Sequence, residues 1–389
     1  MARILLTSQP ALAHLHLAFP IARAATEEGD DVRFASSATV EPVVGAADIS
    51  FLPAGTAWKG GAVDRVLPGF YDLPPELQPV TYVRDICATR LAPPFLDDLL
   101  AAVKGWQPDV VVSDPTEFAG PALAAILEVP HVALLFGGGA FTLSALASMV
   151  AEPFGNLCET YGVSADPIDL LADPPLCLHL VPRQLLSQEP EAVHARTRVV
   201  RPEIFDATMN TDLPSWVSEL PNRPTVYATL GTVWGTIDRF RHLVDAVHGL
   251  DANVIITTGT DIDPAELGSQ PEGVYLERYI PNGALLPHVD VLLTHGGYAS
   301  IVTALSAGIP MVLTPIGADQ PENARRCEEI GVGLTARLDE PESVRAALEK
   351  TMSDGKFKER ARAVARGIAS QPDSSEAAAM VRALAAKPS

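Results

Sequence analysis

Cysteine pairs are missing from this sequence. Cys87, Cys158, Cys177 and Cys327 stand far apart with no Cys-x-x-Cys spacing, so neither a zinc site nor a disulfide framework is expected, and buried reduced thiols are. Basic residues are scarce too: 28 Lys and Arg stand against 48 Asp and Glu, a formal net charge of −20. Binding a phosphate backbone depends on clustered Lys and Arg, so nucleic acid is excluded as a partner and the acidic surface is read as serving solubility. No uninterrupted apolar run is long enough to span a bilayer, and Met1-Ala2-Arg3 leads straight into a short strand rather than a signal-peptide core. A cytoplasmic protein with no stable membrane insertion is expected. Neither a short repeat nor a low-complexity tract is present. No Asp-x-Asp pair or His-carboxylate cluster sits where it would hold a diphosphate-bound cation, so no metal is expected. The last absence is local. The segment Ser8-Gln9-Pro10-Ala11-Leu12-Ala13-His14, after the first apolar run, contains no glycine. A dinucleotide fingerprint needs glycines there for its tight turn and close pyrophosphate approach, which disfavours an NAD-dependent oxidoreductase.

What the chain does contain is a twice-repeated α/β alternation. A length of 389 residues is long for one domain and natural for two. Apolar runs at 4–7, 32–35, 110–113 and 132–136 alternate with helical patterns at 16–28 and 118–127, predicting a parallel sheet with crossover helices. From 54 to 79 the pattern breaks at Gly60-Gly61, Pro68-Gly69 and Pro74-Pro75, marking a long functional or mobile loop. The alternation restarts at 225–230 and continues through 254–257, 274–277, 289–293 and 311–313. We therefore expect a first Rossmann-like domain over 1–205, a proline-bearing linker over 206–223, and a second Rossmann-like domain over 224–370. An Ala-rich amphipathic helix at 374–386 is expected within the tail, 371–389.

The second half carries the densest chemistry. Asp290 to Ser300 reads as a buried strand that ends in Gly296-Gly297 and opens into a helix. Such a turn aims unpaired backbone N–H groups and the positive helix end at an anion, and His295 and Ser300 add side-chain donors. Met311-Val312-Leu313 forms the next strand, placing Asp319 and Gln320 at a strand's carboxyl end, where open α/β sheets bind ligands. A carboxylate disfavours phosphate and suits hydroxyls, and a ligand with phosphate at one end and hydroxyls at the other is a nucleotide sugar. Leu230-Gly231-Thr232 follows the first strand of this half, so the Gly231 backbone and the Thr232 hydroxyl are further candidate phosphate contacts. The alternatives are a satisfied core histidine at His295 and an N-cap or loop acid at Asp319, while Glu322 is expected to be solvated.

In the first half His14 is the candidate general base, because imidazole is the side chain best suited to taking a proton near neutrality. A second strand ends at Val112-Ser113-Asp114. In a parallel sheet both strand ends face one crevice, so Asp114 is expected to reach His14, set its tautomer and stabilise the imidazolium. The alternatives are a histidine that caps the following helix, with His16 a competitor for the base role, and an N-cap role for Asp114 before Pro115. Gly137-Gly138-Gly139 is read as a permissive turn ahead of a phosphate nest. Trp58, Phe70, Tyr71, Phe95, Phe136, Phe141, Met149 and Phe154 are candidates for an acceptor pocket, although each such residue type is more often core.

Taken in order, His295-Gly296-Gly297 with Ser300, Ala304-Leu305-Ser306-Ala307-Gly308-Ile309-Pro310, and Asp319-Gln320-Pro321 with Asn323-Ala324 resemble the family 1 glycosyltransferases. The likeness covers most of the chain and is nearest to bacterial enzymes that glycosylate antibiotics and other natural products. It implies the α/β GT-B fold, two Rossmann-like domains facing across a cleft, with the terminal helix crossing back onto the first. It implies inverting transfer through a His–Asp pair at His14 and Asp114, with no cofactor beyond a TDP- or UDP-sugar co-substrate. In actinobacterial-type relatives the donor is commonly a TDP-deoxysugar and the acceptor a lipophilic natural product. Arg278-Tyr279-Ile280-Pro281-Asn282 resembles the segment in which an aromatic ring, here Tyr279, stacks on the base while the next backbone unit, Ile280, bonds its edge. Ala299, Ala13, Leu17 and Asn282 depart from the family's usual Gly, Gly, Pro and Gln. The rival readings are a GT-B nucleotide-sugar epimerase and a non-catalytic nucleotide-sugar-binding partner that activates another protein.

Overall fold

The computed structural model describes residues 1–74, 76–136, 142–186, 196–205, 213–231, 234–259 and 262–386. The chain divides into two compact units, unit 1 comprising 1–205 with 371–389 and unit 2 comprising 206–370.

Unit 1 is built on β1 (Arg3–Thr7), β2 (Asp31–Ser36), β3 (Ser50–Pro53), β4 (Val110–Ser113), β5 (His131–Leu135), β6 (Leu176–His179) and β7 (Thr197–Val199). They pair in parallel in the order β3-β2-β1-β4-β5-β6-β7. The β-branched run Val110-Val111-Val112 is fully buried, as a strand covered by helices on both faces requires. β3, β6 and β7 escape a pattern search because each is short and mixes polar with apolar residues. The first helix, Leu12–Glu27, opens four residues earlier than the expected 16–28. The Ala11 carbonyl accepts the His14 and Leu15 N–H groups at 2.9 and 3.1 Å, so burying Leu15, Leu17 and Phe19 winds the chain before its first strongly apolar turn. His14 is therefore a residue of the first helical turn and not of a loop.

The stretch expected as a loop at 54–79 is partly ordered by short 3₁₀ turns at Val63–Arg65 and Phe70–Asp72. It leads into an unusually long π-helix, Thr81–Leu91. Trp58, Val63, Phe70, Ile86 and Leu91 form their own small hydrophobic cluster there. The terminal helix, Ser374–Ala385, opens on a capping box between Asp373 and Glu376 and packs on the helix Leu12–Glu27 within unit 1. Ala377, Ala378 and Val381 are buried, and Arg382 Nε donates to Asp30 Oδ2 at 2.7 Å.

Unit 2 contains β8 (Thr225–Thr229), β9 (Asn253–Thr257), β10 (Val274–Glu277), β11 (Val291–Thr294), β12 (Met311–Leu313) and β13 (Gly333–Thr335). These too are parallel, ordered β10-β9-β8-β11-β12-β13. All four cysteines are buried and unbridged. Among the described residues no helix is long and apolar enough to cross a membrane.

In each sheet the strand order reverses at one point, beside β1 and β4 in unit 1 and beside β8 and β11 in unit 2. Ligands of open α/β sheets bind at the carboxyl ends of the strands at such points.

The side chain of Asp30 is 1 % exposed and is held by Arg382. Arg382→Ala removes the charged donor of a buried carboxylate, a loss of about 1.5–3 kcal/mol. Urea denaturation should show unit 1 weakened by that amount, and an unchanged midpoint would mean that the terminal helix is held by its apolar face alone.

Candidate active site

In unit 1 the register pairs Thr7 with Ser113 at the ends of β1 and β4. The next residues of both chains enter the same gap. Asp114, 3 % exposed, lies 2.5 Å from the Nδ1 of His14 through its Oδ2. The same oxygen accepts Ser8 Oγ at 2.9 Å and the Gln9 N–H at 3.3 Å. Its other oxygen accepts the N–H and hydroxyl of Thr116 at 2.7 and 2.8 Å. Burial by itself would push this carboxyl up, but the adjacent His14 and the Thr116 donors outweigh burial and hold it below the usual range. The His14 side chain is 23 % exposed, and the Phe136 ring meets it edge-on at 4.6 Å between centroids. His16 turns elsewhere, its ring 6.2 and 6.4 Å from those of Phe19 and Phe205.

Asp114 is not the cap of the following helix, Ala119–Leu127. The N-cap is Phe118, and Glu117, one residue before it, accepts the Ala119 and Gly120 N–H groups through its carboxylate at 2.6 and 2.9 Å. Pattern reading passed over Glu117 because an acid before a helix reads as an ordinary cap. It is 2 % exposed, and burial pushes its carboxyl up to about 7 in spite of these donors and Thr7.

In unit 2 the corresponding register pairs Thr229 with Thr294 at the ends of β8 and β11. His295 is 6 % exposed and fills the space between two glycine turns. A Cβ on Gly231 would lie 2.8 Å from its Cε1, and one on Gly297 would lie 2.5 Å from its Nε2. Glycine is required at both places for the ring to fit. The ring also bonds the Thr229 carbonyl, yet burial dominates and lowers its pKa to about 4. His295 is therefore neutral near pH 7. Gly297 caps the helix Tyr298–Ser306 with no side-chain bond, and Ser300 stands half-buried in the helix's first turn.

One buried amide ties this turn to the next. Asn323 Nδ2 donates to the Gly296 carbonyl at 3.1 Å and to Asp319 Oδ2 at 2.9 Å. Ala318, just before Asp319, has φ +53°, a left-handed conformation that costs a non-glycine residue about 1–2 kcal/mol. Gln320 is tied into its own loop through its side-chain oxygen. It is 1 % exposed, and its Oε1 accepts the Ile316 and Gly317 N–H groups at 2.8 and 3.0 Å. That oxygen shapes the loop and is not presented to a ligand. Two aromatic residues that pattern reading did not assign border this loop. Tyr298 is buried within the field of Asp319, and the Trp234 indole covers Gly317, where a Cβ would come within 2.9 Å.

The remaining candidates divide. Tyr279 is 55 % exposed, unlike a packed core aromatic, whereas Ile280 is 1 % exposed. Phe95 and Phe154 belong to the main hydrophobic core of unit 1, and Met149 packs against it. This is the core alternative named above for these residue types, their apolar surface holding helices to the sheet. Trp58 and Phe70 anchor the smaller cluster, while Tyr71 is 52 % exposed and donates its hydroxyl to the Gly61 carbonyl at 2.7 Å. Glu322 pairs on the surface with Arg325. Thr232, Phe141 and Gly137-Gly138-Gly139 lie outside the described residues. Among the described residues no group of three or more His, Cys, Asp or Glu side chains is arranged to hold a metal ion.

Comparison with known proteins places this geometry in context. The family described as erythromycin biosynthesis protein CIII-like matches through its N-terminal domain at residues 82–181 and its C-terminal domain at 241–384. L-demethylnoviosyl transferase of Streptomyces niveus is 31 % identical over 382 residues, 95 % of this chain and 93 % of that one. Among solved structures, the glycosyltransferase SnogD from Streptomyces nogalater shares 26 % identity and a TM-score of 0.81, covering 99 % of both chains. The glycosyltransferase VinC in complex with DTDP shares 24 % identity and a TM-score of 0.79, covering 98 % of this chain and 99 % of that one.

The buried, neutral His295 has a consequence for stability. Its folded pKa of about 4 lies below the usual unfolded value of about 6.5, so between these values the unfolded chain binds the extra proton. The stability it confers is complete above about pH 6.5 and is lost as pH falls toward about 4, with a slope of up to about 1.4 kcal/mol per pH unit. Urea titrations at successive pH values, compared with His295→Asn, should show a shallower acid loss in the variant. Identical slopes would contradict the neutral assignment.

Proposed function

Because the chain belongs to the family 1 GT-B glycosyltransferases, within the erythromycin biosynthesis CIII-like group, we propose that it transfers a sugar from a TDP-sugar to a hydroxyl of a lipophilic natural-product aglycone. The transfer inverts the anomeric carbon and uses no metal. The observation that carries this reading is the His14–Asp114 pair: an imidazole at a strand's carboxyl end, partly open to solvent, oriented through Nδ1 by a buried, ionised carboxylate.

In this mechanism the acceptor hydroxyl gives its proton to His14 as its oxygen attacks the anomeric carbon. The bond from that carbon to the diphosphate breaks and the nucleoside diphosphate departs. Asp114 stabilises the imidazolium that forms. The direct bond from an imidazole to a buried carboxylate, together with the fold's likeness to a TDP-bound glycosyltransferase, supports this division: acceptor activation in unit 1 and donor binding in unit 2. Tyr279, exposed in the loop after β10, is positioned to stack on a base. Gly296, Gly297, Ser300 and the helix end address the diphosphate as its charge develops, and Asp319 addresses sugar hydroxyls.

His295 adds a condition. A neutral imidazole has one N–H, and the Thr229 carbonyl engages the ring. A diphosphate offers only acceptors, so contact with His295 draws in a proton and converts the ring to imidazolium.

Two measurements test the reading. With a TDP-sugar and an alcohol acceptor, His14→Ala should lose about 10²–10⁴ in rate while TDP binding and folding persist. Transfer at the parental rate would remove His14 as the base. Calorimetry of TDP binding in buffers of different ionisation enthalpy should show proton uptake near pH 7 that disappears in His295→Asn, with affinity unaffected by EDTA. Binding without proton uptake, or binding that needs a divalent cation, would overturn the phosphate site as drawn.

A further inference from the structure

Beside Asp114, three residues on in the chain, lies a second carboxylate that the transfer mechanism does not use. Glu117 is 2 % exposed, and Thr7 Oγ1 donates to its Oε2 at 2.5 Å. Thr7 ends β1, and its hydroxyl also lies 3.2 Å from Ser113 Oγ, at the end of β4. A Cβ on Gly120 would come within 2.3 Å of Ser113 Oγ, 2.4 Å of Thr7 Oγ1 and 2.8 Å of Glu117 Oε2, so glycine is what lets these three polar groups close on one another. The residues immediately after Thr7 are Ser8 and Gln9, which supply two donors to Asp114, and the Gln9 side chain bonds the Thr116 carbonyl at 3.1 Å. Glu117 thus grips the strand end from which the supports of Asp114 depart.

We propose that Glu117 is a positioning residue of the His14–Asp114 pair: it fixes the Thr7-Ser8-Gln9 turn that holds Asp114, and its negative charge makes His14 a stronger base. The inference rests on the assignment of His14 as the base.

The surroundings make Glu117 suited to this. A helix cap alone needs only the Ala119 and Gly120 bonds and is usually solvated. Here the carboxylate is taken out of water, where a charge acts on its neighbours far more strongly. It feels the charge of Asp114, and its own charge is felt by the Cys87 thiol on the π-helix. A small cavity is lined by Asp114, Glu117 and, from β5, His131. Of these neighbours Asp114 stays ionised. Burial keeps the others neutral, raising Cys87 and Tyr82 and lowering His131 to about 4. Glu117, pushed up to about 7 by its burial, changes charge in the range in which a histidine base works. As pH falls through this range Glu117 loses its charge, and the support it lends to the His14 imidazolium is lost with it.

The test reads His14 itself and needs no substrate. Imidazole Cε1–H resonances of the histidine-labelled protein are followed against pH, with His14 assigned by its loss in His14→Ala. In Glu117→Gln the His14 midpoint should fall by about half to one pH unit, the effect of one partly buried charge on a neighbouring titration. A folded Glu117→Gln protein with an unmoved midpoint overturns the proposal and leaves Glu117 a helix cap. Thr7→Val keeps the shape of the strand end but removes a donor that favours ionised Glu117, so it should move the midpoint the same way by less. If Glu117→Gln does not fold, Thr7→Val carries the test, and an unmoved midpoint in the folded Thr7→Val protein overturns the proposal. Transfer that survives His14→Ala would remove the base assignment. An unmoved His14 titration, in a protein whose transfer still requires His14, removes only the role of Glu117.

Discussion

The chemistry of this chain depends on one constraint, the parallel pairing of two adjacent strands whose connections leave in opposite directions along the sheet. Where β1 lies beside β4, Thr7 is level with Ser113. Where β8 lies beside β11, Thr229 is level with Thr294. Crossover helices diverge from these points, so the sheet opens a crevice that its own backbone does not fill. Each unit fills the crevice with the residues that follow the paired strand ends. In unit 1 these are Ser8, Gln9, His14 and Asp114, and in unit 2 they are Gly231 and His295. A slip of one residue in either register would turn alternate side chains to the other face and separate every pair on which the proposed mechanism relies.

The two crevices use burial in opposite ways. Taking a charge out of water is costly unless hydrogen bonds replace its hydration. Asp114 meets that condition, with donors from Ser8, Gln9 and Thr116 besides His14, and it remains an anion. His295 lies against glycine turns and a threonine, with no carboxylate bonded to it among the described residues, and it remains neutral. Glu117 stands between these cases. It accepts three short hydrogen bonds, yet burial, with a smaller addition from the like charge of Asp114, outweighs them and its carboxyl is raised. Burial thus yields a fixed anion, a neutral imidazole and a titrating acid within one fold, according to what each group is bonded to.

Unit 2 adds a mechanical link between the two turns of its proposed donor site. Asn323 bonds both the Gly296 carbonyl and Asp319, so the turn read as addressing phosphate and the acid read as addressing sugar are held by a single buried amide. The left-handed Ala318 stands in the same loop. Backbone strain of this kind persists where surrounding contacts over-determine a conformation, and the Gln320 side chain, bonded to Ile316 and Gly317, provides such contacts.

The sequence by itself determined the α/β class, the two parallel sheets, the central strands and the motif turns. Val110 to Val112, Met311 to Leu313 and the His295-Gly296-Gly297 turn combine hydrophobic runs with glycine punctuation, and these depend on local backbone preferences that a single sequence displays. It also placed His14 and Asp114 at neighbouring strand ends, because a parallel sheet leaves few positions for the residues that follow its central strands. Short strands such as β3, β6 and β7 were not legible, since tertiary pairing and not periodicity stabilises them. Only the tertiary structure decided that helix Leu12–Glu27 begins before His14, that Phe95 and Phe154 are core, and that Gln320 turns its oxygen to its own loop. Only it showed that Glu117, an unremarked acid in the sequence, is buried beside Asp114. Those outcomes depend on which surfaces lose water when distant segments meet, and desolvation is a property of the packed fold and of no local stretch of chain.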